Sequence, residues 1–248
     1  MKRNALLGAV IMLAVTSASE AAADGGPGPL GVTAVAVATP QTARVGALFD
    51  AEDAADGRLV GEHFCTASVV RSPHHNLIAT AAHCLEGDGE FVFVPGYRKG
   101  QAPYGMWKVD RVFLPDGWEK NRDEDSDVAF AALDELKARG VEDVVGANRF
   151  ATGTTTGATP VTVTGYPHED EDPVRCTNRP TLHNPAQQRI ACPGLTGGTS
   201  GSPWVNGDGQ IVGVLGGHEQ GGSTADVSYS VVLGAEAAEL YRDATADP

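Results

Sequence analysis

Three short stretches of this 248-residue chain hold residue types that can together make and break an acyl bond. The first is Thr80-Ala81-Ala82-His83-Cys84, where small residues crowd a histidine at the end of an apolar run and a cysteine follows it. The second is Asp127, which closes the acidic run Asp123-Glu124-Asp125-Ser126 and stands immediately before the apolar Val128-Ala129-Phe130. The third is Gly197-Gly198-Thr199-Ser200-Gly201-Ser202-Pro203, where glycines on both sides of a serine permit a tight turn that exposes the hydroxyl and points backbone N–H groups at one spot. A serine nucleophile needs a base to take its proton, a carboxylate to hold that base in one tautomer, and N–H groups to bind the oxyanion. His83, Asp127, Ser200 and Gly198 are candidates for those roles. A lone histidine is more often a surface or satisfied core residue, and that reading is given to His63, His74, His75, His168 and His183. With His83 as the base, the rate should fall below about pH 6 to 7, because an imidazolium cannot accept a proton.

In the order His, Asp, Ser, the TAAHC around His83, the Asp-Val-Ala at Asp127 and the G-x-S-G-x-P around Ser200 resemble the chymotrypsin-like serine peptidases, over most of residues 45 to 248. Gly165-Tyr166-Pro167 and Gly-Thr-Ser-Gly-Ser-Pro are most similar to the bacterial branch that contains the glutamyl endopeptidases. The resemblance implies a double β-barrel with its site in the cleft between barrels. It implies His83 as general base and acid, Asp127 as its orienter, Ser200 as nucleophile, and the N–H groups of Gly198 and Ser200 as the oxyanion hole. It also implies a serine endopeptidase that works through an acyl-enzyme on protein or peptide substrates, with no cofactor and no metal.

Some positions depart from that pattern. The animal digestive enzymes carry an aspartate directly before the nucleophile, and here that residue is Thr199, so Arg44-Val45-Gly46 resembles an activation junction whose ion-pair partner is missing. The run Pro193 to Thr199 contains no acid, which speaks against a Lys or Arg preference. Thr196, Gly216, Gly217 and His218 are the expected specificity pocket. Leu215 stands where the glutamyl branch has a histidine, so His218 is either a receptor for an acidic side chain or an exposed rim residue. Two other functions stay open: a catalytically silent peptide-binding module on the same fold, and an esterase using the same triad.

The elements that must position these residues read as short strands between Gly, Pro and Asp clusters. A first set runs Val45 to Phe49, Phe64 to Val70, Leu77 to Thr80, Phe91 to Val94, Lys108 to Leu114 and Val128 to Leu133. A second runs Thr159 to Thr164, Thr181 to His183, Arg189 to Cys192, Pro203 to Val205, Gln210 to Leu215 and Asp226 to Val232. The expected fold is all-β: two six-stranded antiparallel β-barrels packed side by side, residues 45–140 and 141–234, with a C-terminal helix in 235–248. The 31 glycines and 15 prolines suit many tight turns.

Lys2 and Arg3, the apolar run Ala5 to Val15 and the small residues ending at Ala23 read as a secretory signal peptide, residues 1–23. The apolar run is too short for a membrane anchor, the competing reading. Residues 24–44, rich in Gly, Pro and Ala, read as a propeptide or extension outside the core. Export to an oxidising compartment lets the four cysteines pair, and proximity ranks Cys65 with Cys84 and Cys176 with Cys192 first among three connectivities. A zinc site is the rival, without a Cys-x-x-Cys spacing to support it. A calcium site is the rival reading of the acidic run, which otherwise is a solvated loop. The net charge of −14 repels nucleic acid. The exported protein is expected to be a secreted, extracellular monomer that does not engage the membrane.

Overall fold

The structure is a computed structural model that describes residues 28–87 and 89–246. The strands in chain order are β1 (Thr33–Val35), β2 (Val45–Asp50), β3 (Cys65–Val69), β4 (Leu77–Thr80), β5 (Phe91–Pro95), β6 (Trp107–Phe113), β7 (Ala129–Leu133), β8 (Arg149–Phe150), β9 (Val161–Gly165), β10 (Val174–Asn178), β11 (Thr181–Leu182), β12 (Gln187–Ala191), β13 (Pro203–Asn206), β14 (Gln210–Val214) and β15 (Val227–Val231). The helices are α1 (Ala51–Ala55), α2 (Asp116–Asn121), α3 (Val141–Val145) and α4 (Ala235–Ala246).

Strands β2, β3, β4, β7, β6 and β5 close in that order into an antiparallel barrel. Burial follows from the pleat: along β6, Trp107 and Val109 point inward while Lys108 and Asp110 face water. Strand β7 is buried on both faces, because its outer face is covered by α4. Ala237, Leu240 and Ala244 make the buried stripe of α4, and the Tyr241 ring lies 5.4 Å from Phe130 and 5.1 Å from Phe150.

The second barrel is built from two sheets, one ordered β1-β10-β9-β13-β14-β8 and one ordered β11-β12-β15. Among the described residues, one isolated backbone bridge, Leu215 to Ser230, joins them at their seam. Buried side chains complete it: Gln188 Nε2 donates to the Val212 carbonyl (2.9 Å), and the Val214 N–H donates to Ser230 Oγ (2.9 Å). The expected all-β double-barrel architecture with its C-terminal helix is observed; the second half departs from six antiparallel strands, having nine strands in two sheets among the described residues, with β8 parallel to β14. Both expected disulfides form, Cys65–Cys84 and Cys176–Cys192.

Three strands escape the sequence reading. Strand β10 lies between Pro173 and Pro180, β8 has two residues, and β1 is embedded in Gly- and Pro-rich sequence, so each reads locally as a turn. The finding for β1 corrects the reading of residues 24–44 as lying outside the core. Thr33–Val35 pair with β10, the Ala36 N–H donates to the Pro173 carbonyl (2.8 Å), and Ala36, Thr42 and Ala43 are buried. Arg44-Val45 is part of this folded path, with the Val45 N–H on the Thr42 carbonyl and an Arg44 guanidinium N–H on Asn148 Oδ1 (3.3 Å). The signal-peptide reading falls on residues outside those described.

Candidate active site

Strand register alone brings His83 and Asp127 together. Strands β4 and β7 are antiparallel, with Thr80 opposite Ala129, so the chain leaving β4 and the chain entering β7 run side by side off one end of the ladder. His83 lies three residues beyond Thr80, in the 3-10 helix Ala82–Leu85, and Asp127 lies two before Ala129. His83 Nδ1 is 2.8 Å from Asp127 Oδ2, the His83 backbone N–H donates to Oδ1 (3.0 Å), and the Gly217 N–H donates to Oδ2 (2.7 Å). Asp127 is fully buried, and these three donors fix its plane. A carboxylate against Nδ1 keeps the ring proton there, so Nε2 presents its lone pair. The ring of Trp118, from α2, packs against His83 at 6.4 Å. Sequence reading missed Trp118, since an isolated tryptophan carries no spacing signal.

The Ser200 loop, from the second barrel, is tied to both sides of the His83–Asp127 pair. Its carbonyl accepts the Thr66 N–H (2.7 Å), next to Cys65, whose disulfide partner adjoins His83. The Gly201 N–H donates to the Leu215 carbonyl (2.7 Å), and the following Gly216 packs so tightly that a Cβ on it would collide with Asp127 Oδ2. The loop is thus tied to the histidine side through Thr66 and to the aspartate side through Leu215. The Ser200 hydroxyl has no hydrogen bond to a described residue. Two positions in this loop require glycine: Gly198 and Gly201 have φ of +87° and +83°, and a Cβ on Gly201 would overlap the Thr66 carbonyl and the Thr80 hydroxyl.

Every backbone carbonyl from Gly197 to Ser200 is engaged. They accept from the His168 N–H, the Thr66 hydroxyl, the Ser202 N–H and the Thr66 N–H respectively. The N–H groups of Thr199, Gly201 and Ser202 are also spent within the protein. Those of Gly197, Gly198 and Ser200 have no acceptor among the described residues; Gly197 is exposed, whereas Gly198 is buried and Ser200 half-buried, so the latter two are the unspent donors withdrawn from bulk water.

Beside Ser200 lies a cavity of about 250 Å³ whose walls include Leu195, Thr196, Leu215, Gln220 and Thr224. Of the four residues expected to form the specificity pocket, Thr196 lines this cavity. Gly216, Gly217 and His218 do not, which corrects the expected pocket: Gly216 and Gly217 are drawn against Asp127 and the Gln187 side-chain amide, and the His218 ring stacks on His183 (4.9 Å) and against Tyr229 (4.8 Å). The pocket wall comes from residues 220–225 instead, a Gly- and Ser-rich run that reads as an ordinary turn. The acidic run is not simply solvated. The Glu124 carbonyl and Asp125 Oδ1 accept the Gln187 amide (2.8 Å each), and Glu124 Oε1 accepts the Glu219 N–H (3.0 Å), so the loop before Asp127 is bonded to the second barrel.

With this geometry in place, comparison with known proteins is informative. The model of the trypsin-like peptidase domain matches residues 65–214, more than half of the chain. The chain belongs to the trypsin-like peptidase family. It is accordingly a serine-type endopeptidase, a hydrolase. Among solved structures, the peptidase is similar to the protease Anisep from Arthrobacter nicotinovorans, at 28% identity and a TM-score of 0.72 over 83% of this chain and 97% of that one. It is similar to a thermostable serine protease, AL20, from an extremophilic microorganism, at 25% identity and a TM-score of 0.73 over 85% of this chain and 100% of that one. A Glu endopeptidase shares the fold at 19% identity and a TM-score of 0.68, over 89% of this chain and 99% of that one. A search of curated proteins finds no match.

Behind the Ser200 loop the peptidase carries two histidines that sequence reading treated as uninformative. His63 is fully buried, its Nε2–H donates to the Pro167 carbonyl (3.0 Å), and its Nδ1 has no partner among the described residues. His168 donates from Nδ1 to the His63 carbonyl (2.8 Å), while its backbone N–H holds Gly197. Burial pushes the His63 imidazole below its usual pKa, against smaller raising effects from the Pro167 carbonyl and from Glu171 and Asp170. Between the unfolded value near 6.5 and the lower folded one, the unfolded chain binds the proton and the native state does not. This contribution to stability is complete above that window and is lost as pH falls through it. A Tm-against-pH series is therefore expected to fall less steeply below about pH 6.5 for His63→Gln, which keeps a donor for Pro167, than for wild type. Parallel curves would show that His63 carries no part of the acid sensitivity.

Proposed function

We propose that the peptidase is a secreted endopeptidase in which Ser200 attacks the scissile carbonyl and His83 takes its proton and then delivers it to the leaving amine. Asp127 orients the imidazole, and water hydrolyses the acyl-enzyme at Ser200 with His83 again as base. The observation that carries this reading is the pair of N–H donors withdrawn from bulk water, Gly198 and Ser200, with no acceptor among the described residues, on a loop bonded through Thr66 to the strand that carries Cys65 and through Leu215 to the turn packed on Asp127. The neighbours named as proteases support peptide hydrolysis. A human heparin-binding protein shares the fold at 16% identity and a TM-score of 0.62, so the fold by itself does not decide between catalysis and binding, and the site must. Secretion is supported by the two disulfides, and no helix among the described residues is long and apolar enough to cross a membrane.

The cavity beside Ser200 is the proposed site for the residue that precedes the scissile bond. Its walls hold hydroxyls, one amide and small apolar groups, and no charged residue or histidine. A charged side chain entering it would lose hydration without gaining a counter-charge. The enzyme is therefore expected to cleave after uncharged residues. One digest tests both points. A fluorophosphonate should label Ser200, and a peptide library should be cut after neutral side chains. Labelling at Ser202 or Ser68 would overturn the nucleophile assignment, and cuts clustered after Lys, Arg, Asp or Glu would overturn the pocket.

A further inference from the structure

Thr66 sits in β3 of the first barrel, fully buried, yet its polar groups serve the Ser200 loop of the second. Its N–H donates to the Ser200 carbonyl (2.7 Å), and its hydroxyl donates to the Gly198 carbonyl (3.0 Å). That hydroxyl also accepts the Tyr166 N–H (3.0 Å), and the Thr66 carbonyl accepts the Thr80 hydroxyl (2.8 Å). The roles at Oγ1 are unambiguous: the Tyr166 amide can only donate, so the single hydroxyl proton goes to Gly198.

In a planar trans peptide the C=O and N–H point in opposite directions. With the Gly197 carbonyl held by His168 and the Thr199 carbonyl held by Ser202, the N–H groups of Gly198 and Ser200 are turned away from those partners. Thr66 grips the peptide between them, Gly198–Thr199, through its hydroxyl, and the one that follows, Ser200–Gly201, through its N–H. Gly198, at φ +87°, has no side chain to resist rotation, so its orientation depends on these external bonds.

We propose that Thr66 is a positioning residue for the oxyanion hole: its hydroxyl, oriented by the Tyr166 amide, locks the Gly198–Thr199 peptide that joins the two donor-bearing peptides, so that the Gly198 and Ser200 N–H groups meet the developing oxyanion. This rests on the reading of Ser200 as the nucleophile. The γ-methyl branch of Thr66 narrows χ1, so the hydroxyl is held in place before substrate arrives.

The test compares wild type, Thr66→Val, which keeps the shape and removes the hydroxyl, and Thr66→Ser, which restores it. Each is assayed for kcat and KM, for affinity toward a peptide aldehyde that forms a tetrahedral adduct, and for affinity toward the peptide amide of the same sequence. Thr66→Val should lose about 100-fold in kcat, the scale of a lost oxyanion donor, and a similar factor in aldehyde affinity. KM and amide affinity should stay within about threefold, because they do not sample the oxyanion. Thr66→Ser should recover most of both losses.

Unchanged kcat and aldehyde affinity in Thr66→Val would overturn the proposal. So would a parallel loss of amide affinity, which marks general loosening, or failure of serine to rescue. If the valine variant does not fold, Thr66→Ala replaces it, since alanine also removes the fixed hydroxyl bond to the Gly198 carbonyl, and the same split between aldehyde and amide is expected. Fluorophosphonate labelling of wild type at Ser200 is run alongside. Its absence means that the nucleophile assignment has failed, whereas labelling with an insensitive Thr66→Val means that only the positioning role has.

Discussion

Replacing Ser200 by alanine is expected to lower kcat for peptide hydrolysis by about 10⁶-fold, the scale on which removing a triad serine collapses catalysis. The reason is that no neighbouring hydroxyl can substitute. Ser202 is fully buried with its Oγ packed against Gly165, and Ser68 lies in β3 with its Oγ accepting from Asn148. A residual rate of about 10³ to 10⁴ over water should survive, because the Gly198 and Ser200 N–H groups and the substrate cavity remain. Stability and ground-state binding should hardly change: the hydroxyl has no hydrogen bond to a described residue, so its removal strands no partner. Stopped assays of the purified variant against wild type measure this, with thermal melts as a control. A variant retaining more than about one per cent of kcat, far above the residual expected for a lost triad serine, would show that the nucleophile lies elsewhere.

Asp127→Asn is expected to lower kcat by about 10⁴-fold while leaving KM within a few fold, the effect of presenting the base in the wrong tautomer. The geometry makes the loss hard to avoid. Asp127 offers two acceptor oxygens to three donors, the His83 Nδ1–H, the His83 N–H and the Gly217 N–H, and asparagine has one acceptor. If the amide oxygen takes the Oδ1 place, its NH₂ faces His83 Nδ1 and Gly217, which moves the ring proton to Nε2 and removes the base. If the oxygen takes the Oδ2 place, the NH₂ faces the His83 backbone N–H, and a buried donor goes unsatisfied at a cost of about 1–3 kcal/mol. The variant should therefore melt at a lower temperature as well as turn over slowly. Activity within tenfold of wild type would remove Asp127 from the mechanism.

Parts of the candidate site and of the scaffold were legible in the sequence, and parts of each were not. His83 and Asp127 were legible because each sits in a local pattern, small residues with a cysteine for one and an acidic-to-apolar transition for the other. Antiparallel register then does the rest. The strands of the first barrel were legible because Val, Phe, Ile and Leu alternate or cluster between clear turn signals. What stayed hidden depends on distant partners. Strand β10 owes its existence to β9 on one side and β1 on the other, and neither Thr66 nor Gln187 differs locally from any strand residue. The lining of the cavity beside Ser200 stayed hidden for the same reason. Alignment by motif puts Gly216 and Gly217 beside it, whereas packing against Asp127 and Gln187 turns them away.

The two flanking segments change what the two barrels are to each other. The segment before the first barrel lends β1 to the second, and α4, which follows the second, lies on β7 of the first. Loose chain ends are where nicking usually begins. A proteolytic enzyme meets copies of itself at every encounter in its own medium, and here each arm is clasped by the opposite half. An autolytic cut within either arm must wait for that arm to leave the opposite half, so resistance to self-digestion at these two segments is set by how tightly each is clasped.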